Sequence, residues 1–334
     1  RWCDVWHLKY ANGERGSDGG GLTDTWLSEK LGVAATPGKG VLAGRGRDRA
    51  KLFFDPSLAG PLDAARRERV VFLGHLLGKA LGRGLTVPEV RLCRPLLTRL
   101  AGREAAPSLE VLEALDEDLA NSLRKTADTI ETSDAVLEAL ELPFGIPDPA
   151  RPGSVLRLDP AEPDKLVTPA NRHEFVRLAT ERALALFDPA LEIFARAVYA
   201  HVPQALLRCF TDAELERLVA GETTVDLSDL QAHLELQAPF EELRPADVAD
   251  GPQVRAWFFE ILTQWQQGDV PSLRGTAAPP EEGVRLGTTL IGKLLWQITG
   301  ASAPPLGGFE NLSSPFILFA LINPKARTSI HTCF

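Results

Sequence analysis

The chain has 334 residues, 44% of them hydrophobic and 24% charged, and a net charge of −9. That length exceeds one comfortable core, so two domains or lobes are expected, with the composition of a soluble globular protein. The acidic balance excludes nonspecific nucleic-acid binding, which needs clustered Lys and Arg to displace counterions, and no apolar run is long enough for a membrane span or shaped as a signal peptide.

Residues 1–50 are rich in glycine, with Trp2, Val5, Trp6 and Leu8 near the start and Gly19, Gly20 and Gly21 in a cluster. Such a cluster ahead of a helix can cradle phosphate through backbone N–H groups. No Gly-Lys-Ser/Thr follows, so a tight turn into a helix capped by Thr23 is the better reading. Over 66–81, Val70, Leu73, Leu77 and Leu81 recur at three- and four-residue spacing and predict a core helix, in which His75 is structural. Helix continues over 96–100, and Leu109, Leu112, Leu115 and Leu119 form a further amphipathic stripe.

The character changes over 142–171, where Pro143, Pro147, Pro149, Pro152, Pro160, Pro163 and Pro169 exclude long helices. Extended pieces at 144–146 and 155–158 predict a hairpin-like insertion. Helical signals resume at 174 and run to 218 with breaks at Pro189 and Pro203. The stretch 243–252, with two prolines, a glycine and two acidic groups, reads as a linker and the boundary between lobes. Beyond it, Val254, Trp257, Phe258, Ile261, Leu262 and Trp265 predict a helix, as do Leu290, Ile291, Leu294, Leu295 and Ile298 before Gly300. The apolar block 315–322 predicts a strand buried on both faces, with the last segment pairing near it.

The four cysteines, Cys3, Cys93, Cys209 and Cys333, lie far apart with no C-x-x-C pair, so neither a zinc site nor a disulfide framework is suggested, no metal or cofactor is expected, and a reducing compartment fits. Cys333 is the chemically suggestive one, beside Thr332 and two residues after His331. In extended backbone His331 and Cys333 share a face, but their Cβ atoms stand about 6–7 Å apart, so a direct hydrogen bond needs favourable rotamers. Read alone, the pair is first a buried, inert cysteine next to a surface histidine; a nucleophile is the alternative. A cysteine hydrolase using Cys333 and another histidine lacks any accompanying protease or nucleophile-elbow pattern. The sequence contains no Met, including at position 1, so it is expected to be part of a longer chain or a processed form.

His331-Thr332-Cys333-Phe334 resembles the H-T-C-F signature at the acceptor cysteine of HECT-type ubiquitin-protein ligases, and the preceding chain resembles that domain in order. Gly16-Ser17-Asp18-Gly19-Gly20-Gly21-Leu22-Thr23 is similar to its D-x-G-G-L opening, with Thr25 where a glutamate is usual. Phe72, Gly74, Gly78, Ala80 and Leu81 match the F-x-G-x-x-x-G-x-A-L helix, and Leu112, Leu115, Asp116, Ser122 and Leu123 the L-x-x-L-D stretch with its later S-L. Val202-Pro203 with Leu207, Phe210, Glu214-Leu215-Glu216 and Gly221 resembles the I-P-x-x-x-L segment, and Thr299-Gly300 with Pro305-Leu306-Gly307-Gly308-Phe309 the link into the last strands.

The resemblance implies a mainly helical α+β fold: a bilobal HECT domain with a large helical N-lobe over 1–249, carrying a small insertion subdomain at about 120–200, and a small α/β C-lobe over 250–334. It implies a cytoplasmic or nuclear ubiquitin-protein transferase whose partners are a ubiquitin-conjugating enzyme, ubiquitin and protein substrates. Cys333 would be the nucleophile, His331 a proton carrier or orienting donor, and Thr332 a hydrogen-bond partner near the carbonyl oxygen. Leu123, Leu142, Phe144, Phe194 and Val198 would form an apolar floor for a loop of the conjugating enzyme. The family's approach to the cysteine carries its proline closer than Pro324 stands here, and the family continues past the cysteine with a strand, a helix and a tail. The expectation is therefore either a fragment of the full product or a catalytically impaired module that binds a conjugating enzyme or ubiquitin without turnover.

Overall fold

The structure is a computed structural model that describes residues 7–9, 15–17, 21–34, 36, 41–44, 50–104, 106–129, 131–222, 224–237, 251–267, 289–299, 303–304, 307–311 and 316–319. In chain order its elements are β1 (His7–Lys9), β2 (Arg15–Ser17), α1 (Gly21–Ala34), β3 (Leu42–Gly44), β4 (Leu52–Phe54), α2 (Ala64–Gly82), α3 (Arg94–Leu100), α4 (Leu109–Glu113), α5 (Glu117–Ala127) and α6 (Asp134–Ala139). There follow β5 (Gly145–Pro147), β6 (Val155–Arg157), α7 (Arg172–Ala185), α8 (Asp188–Tyr199), α9 (Gln204–Leu207), α10 (Asp212–Ala220), α11 (Leu227–His233), β7 (Leu234–Gln237), α12 (Gly251–Gln267), α13 (Leu290–Thr299) and β8 (Phe316–Phe319). The fold is mainly helical α+β, and its described strands pair two by two: β1–β2, β3–β4 and β5–β6 antiparallel, β7–β8 parallel. Among the described residues no helix is long and apolar enough to cross a membrane.

Backbone packing divides the chain into two compact units, one of Leu31–Gly82 with Val90–Glu216, the other of Arg1–Lys30, Arg83–Glu89 and Arg217–Phe334. In the first, α2 crosses α8 in the most extensive helix contact. Gly74 makes the crossing close, since a β-carbon there would lie 2.6 Å from the Ala197 Cβ and 2.7 Å from the Phe194 carbonyl oxygen. Beneath it, the rings of Phe53 and Phe54 on β4 meet Phe187 and Phe194 edge-on, at centroid distances of 5.0 and 5.6 Å. Such T-shaped contacts set a ring's positive edge on its neighbour's negative face. Cys93 is buried on the adjoining turn, where desolvation pushes its thiol up to about 12, so it is inert at neutral pH.

In the second unit, Val225, Leu230 and Leu234 pack with Phe259, Leu262, Ile291, Leu295 and Phe309 in one core. Residues on both sides of the position expected as a boundary, 249/250, share that core. The Asp229 carboxylate fastens it, accepting from the Phe309 N–H at 2.7 Å beside Gly308, whose φ of +99° suits only glycine.

Several expectations shift in detail. The predicted stripe over 109–119 is two helices, because Asp116 leaves helical geometry and caps α5, accepting from the Leu119 N–H at 3.0 Å. The predicted linker over 243–252 overlaps α12, which already includes Gly251 and Pro252; proline is at home in a first turn, where its missing N–H has no partner to lose. The rest of that linker lies outside the described residues. Thr23 sits buried inside the first turn of α1 rather than ahead of it, a cap preference of about 1 kcal/mol being readily overridden by packing. On α12 the core side is Phe259 and Leu262 with Phe258 and Trp265 beside them, while Trp257 and Ile261 are 56% and 45% exposed.

Candidate functional site

The first unit contains a cavity of about 580 Å³, walled by α4, α5, the β5–β6 hairpin and the α7–α8 corner. Its first wall is α5. The helix is specified at both ends: Asp116 caps it, Glu117 and Asp118 stand in the positive first turn, and Arg124 and Lys125 in the negative last one. Its apolar side buries Ala120, Leu123 and Thr126, and Leu119 joins Leu123 in facing the cavity. Arg124 ion-pairs with Glu113 of α4 and donates to Asn121 at 3.0 Å, which fixes the two short helices against each other.

The opposite wall is the stretch from Leu142 to Pro147. Its backbone is held on two sides: the Phe144 N–H donates to the Lys165 carbonyl and the Val167 N–H to the Leu142 carbonyl, each at 2.8 Å, and the Leu158 N–H donates to the Phe144 carbonyl at 3.1 Å. Gly145 permits the close hairpin, because a β-carbon would meet Val155 at 2.6 Å and the Leu156 carbonyl oxygen at 2.7 Å. The chain enters this wall through Glu141, whose φ of +46° makes it the described non-glycine residue in the left-handed region. Lys165 stands over the Phe144 ring at 4.6 Å and pairs with Asp159 at 3.0 Å; that hydrogen bond raises the lysine and lowers the aspartate from their usual values.

The remaining wall, Phe175 of α7 with Leu186 and Phe187, is anchored by buried Arg172. The Arg172 guanidinium donates to the Thr132 carbonyl at 3.1 Å and to the Asp134 carboxylate at 2.5 Å, tying the start of α7 to α6. Asp116 and Asp118 are the lining residues that bear charge. The cavity thus suits an apolar side chain on a neutral or basic surface, an arrangement for binding rather than for bond breaking.

Of the residues expected to meet a conjugating enzyme, Leu123 and Leu142 line this cavity. Phe144 is buried behind it, its ring 5.4 Å from that of Phe175. Phe194 and Val198 are not among the lining residues: they are 1% and 0% exposed at the α2–α8 crossing. Leu119, Leu186 and Phe187 complete the site without having been singled out; Leu119 was visible only as one more position in an amphipathic stripe, which usually means core. Cys333, His331 and Thr332 lie outside the described residues. Among the described residues no group of three or more His, Cys, Asp or Glu side chains could hold a metal ion.

A model of the HECT-domain (ubiquitin-transferase) family matches residues 35–271, a span that includes every wall of the cavity. The chain belongs to the HECT-domain family. Its HECT sequence is 26% identical over 331 residues to an E3 ubiquitin-protein ligase TOM1-like of Neurospora crassa, covering 96% of this chain and 7% of that protein. It is 28% identical over 262 residues to the E3 ubiquitin-protein ligase HERC2 of Homo sapiens, with 77% of this chain and 5% of that protein covered. With the E3 ubiquitin-protein ligase HACE1 of Homo sapiens it shares 27% identity over 243 residues, 72% of this chain and 23% of that protein. The chain therefore spans only a small part of the length of these relatives.

Proposed function

We propose that this HECT chain accepts ubiquitin from a conjugating enzyme as a thioester on Cys333 and passes it to a lysine of a protein substrate. The observation that carries the reading is the apolar cavity at Leu123 and Leu142 inside the family-matched residues, with room for protruding apolar side chains of a partner protein. Docking there would hold the charged conjugating enzyme while the Cys333 thiolate attacks the carbonyl carbon of its thioester. The carbon–sulfur bond to the enzyme breaks, its cysteine leaves as thiolate, and a new thioester forms on Cys333. A neutral lysine amine then attacks that carbonyl and Cys333 leaves.

Exchange between two thioesters is nearly balanced, so the work of the protein is positioning in both steps. Lysine must also lose its proton, from a group whose free pKa is about 10.4. His331 is proposed as the carrier or orienting donor for that proton, and Thr332 as a hydrogen-bond donor to the carbonyl oxygen.

Single-turnover transfer from ubiquitin-charged conjugating enzymes, read on a non-reducing gel with Cys333→Ala alongside, tests the reading. A reducible adduct that disappears in the variant is expected. A folded chain that forms no adduct with any of several conjugating enzymes would overturn it for this chain.

A further inference from the structure

His75 does more than fill space in α2. Its Nδ1 lies 2.9 Å from Nε2 of His201, just beyond the end of α8, and the two half-buried rings meet edge-on with centroids 5.1 Å apart. The contact sits where the helices approach closely. A β-carbon at Gly78 would lie 2.9 Å from both the His201 ring and the Val198 carbonyl oxygen, one turn along from the Gly74 contact with Phe194.

A hydrogen bond between two imidazole nitrogens needs one N–H and one lone pair. Two neutral rings supply that, and so does a pair holding one extra proton. When both rings are protonated, each nitrogen presents an N–H and a positive charge to the other at 2.9 Å, and no acceptor remains. We propose that the pair is a proton-sensitive latch: the α2–α8 crossing is closed while at most one of the two rings is charged, and loosens when both are.

The surroundings favour loss of the second proton over retention. Burial, then the neighbouring His75, then Lys79 on the same face of α2 hold His201 below the usual histidine value. On α3, which also packs against α8, Arg99 is engaged by Asp188 at 2.7 Å, and the nearby Tyr199 hydroxyl donates to the Leu100 carbonyl at 2.8 Å. The unfolded chain binds protons near the ordinary histidine value of about 6.5, so stability falls as pH drops from there toward the lower folded-state value. Because Phe187, which caps α8, also lines the cavity, loosening of α8 would reach that wall.

The test is thermal unfolding of the chain from pH 8 to pH 5, for wild type, His201→Gln, His75→Gln and the double variant. Glutamine keeps a neutral donor and acceptor near the same place, and the other histidines are common to all four proteins. Wild type is expected to lose several degrees more in Tm than the double variant below about pH 6.5. In parallel, imidazole nitrogen NMR should show the two rings taking up protons in separate steps. Equal Tm losses in wild type and double variant, or two rings titrating independently at the ordinary value, would overturn the latch. Should His201→Gln fail to fold, the comparison of wild type with His75→Gln and the NMR titration decide it.

Discussion

The carbonyl oxygen of Phe194 on α8 lies 2.7 Å from where a β-carbon on Gly74 of α2 would be, so the two helices touch backbone to backbone. The absent side chain at position 74 sets their separation, and Gly74→Ala must push them apart. Overpacking of this kind costs about 1–3 kcal/mol, more than the roughly 1 kcal/mol of helix propensity that alanine brings. Urea unfolding should therefore show a lower midpoint for Gly74→Ala at an unchanged m-value; a midpoint equal to or above wild type would contradict the crossing.

Leu142 is half-buried and lines the cavity, so a charge there alters the receptor with little intrusion into the core. Losing one apolar anchor is worth about 1.5–3 kcal/mol, which corresponds to roughly a ten- to hundred-fold weaker complex. Leu142→Asp should slow single-turnover charging from a conjugating enzyme by that factor while circular dichroism stays that of wild type. Unchanged charging at sub-saturating enzyme would remove the cavity from the docking surface.

Glu141 adopts a φ of +46° immediately before the cavity wall. A side chain in that region costs about 1–2 kcal/mol, which glycine does not incur. Glu141→Gly should thus raise Tm, the strain relieved exceeding the greater freedom gained by the unfolded chain. A Tm below that of wild type would mean that the glutamate side chain contributes contacts outweighing its backbone strain.

Asp212, at the start of α10, joins that helix to α3: it accepts from Thr98 at 2.9 Å, from Arg94 at 3.1 Å and from Arg103. Burial alone would raise its carboxyl, but the hydrogen bonds from Arg103, Thr98 and Arg94 outweigh that and hold it below the ordinary value. A carboxyl depressed in the folded state contributes stability above its unfolded pKa of about 3.9 and loses it as pH falls through the folded one. Asp212→Asn should cost about 1–3 kcal/mol at pH 7 and far less below pH 3, as read by urea midpoints across that range. A constant difference would show that the charge is immaterial.

The α2 stripe and the alternation of prolines over 142–171 act within a few residues of chain, and they predicted α2 and the β5–β6 hairpin close to where they stand. The same reasoning fused α4 and α5, because four leucines in helical register say nothing of a capping Asp116 that interrupts them. It also counted Trp257 and Ile261 in the apolar stripe that predicted α12, yet both are exposed, since periodicity identifies a stripe without telling which part of it another element covers. Of the expected docking residues, Leu123 and Leu142 meet at one cavity while Phe194 and Val198 lie at a helix crossing; from sequence all four are simply apolar.

What the sequence determined by itself is the family, through ordered motifs spread along the chain, together with the mainly helical content, since both are written in local spacing. What only tertiary structure decided is which apolar residues face a cavity, which glycines separate helices and which histidines meet. Those depend on arrangements such as the contact of His75 with His201, or Leu123 and Leu142 lining one cavity, that exist only after distant segments have been brought together. No local pattern encodes them, because their energies are gained only when the loops between have closed.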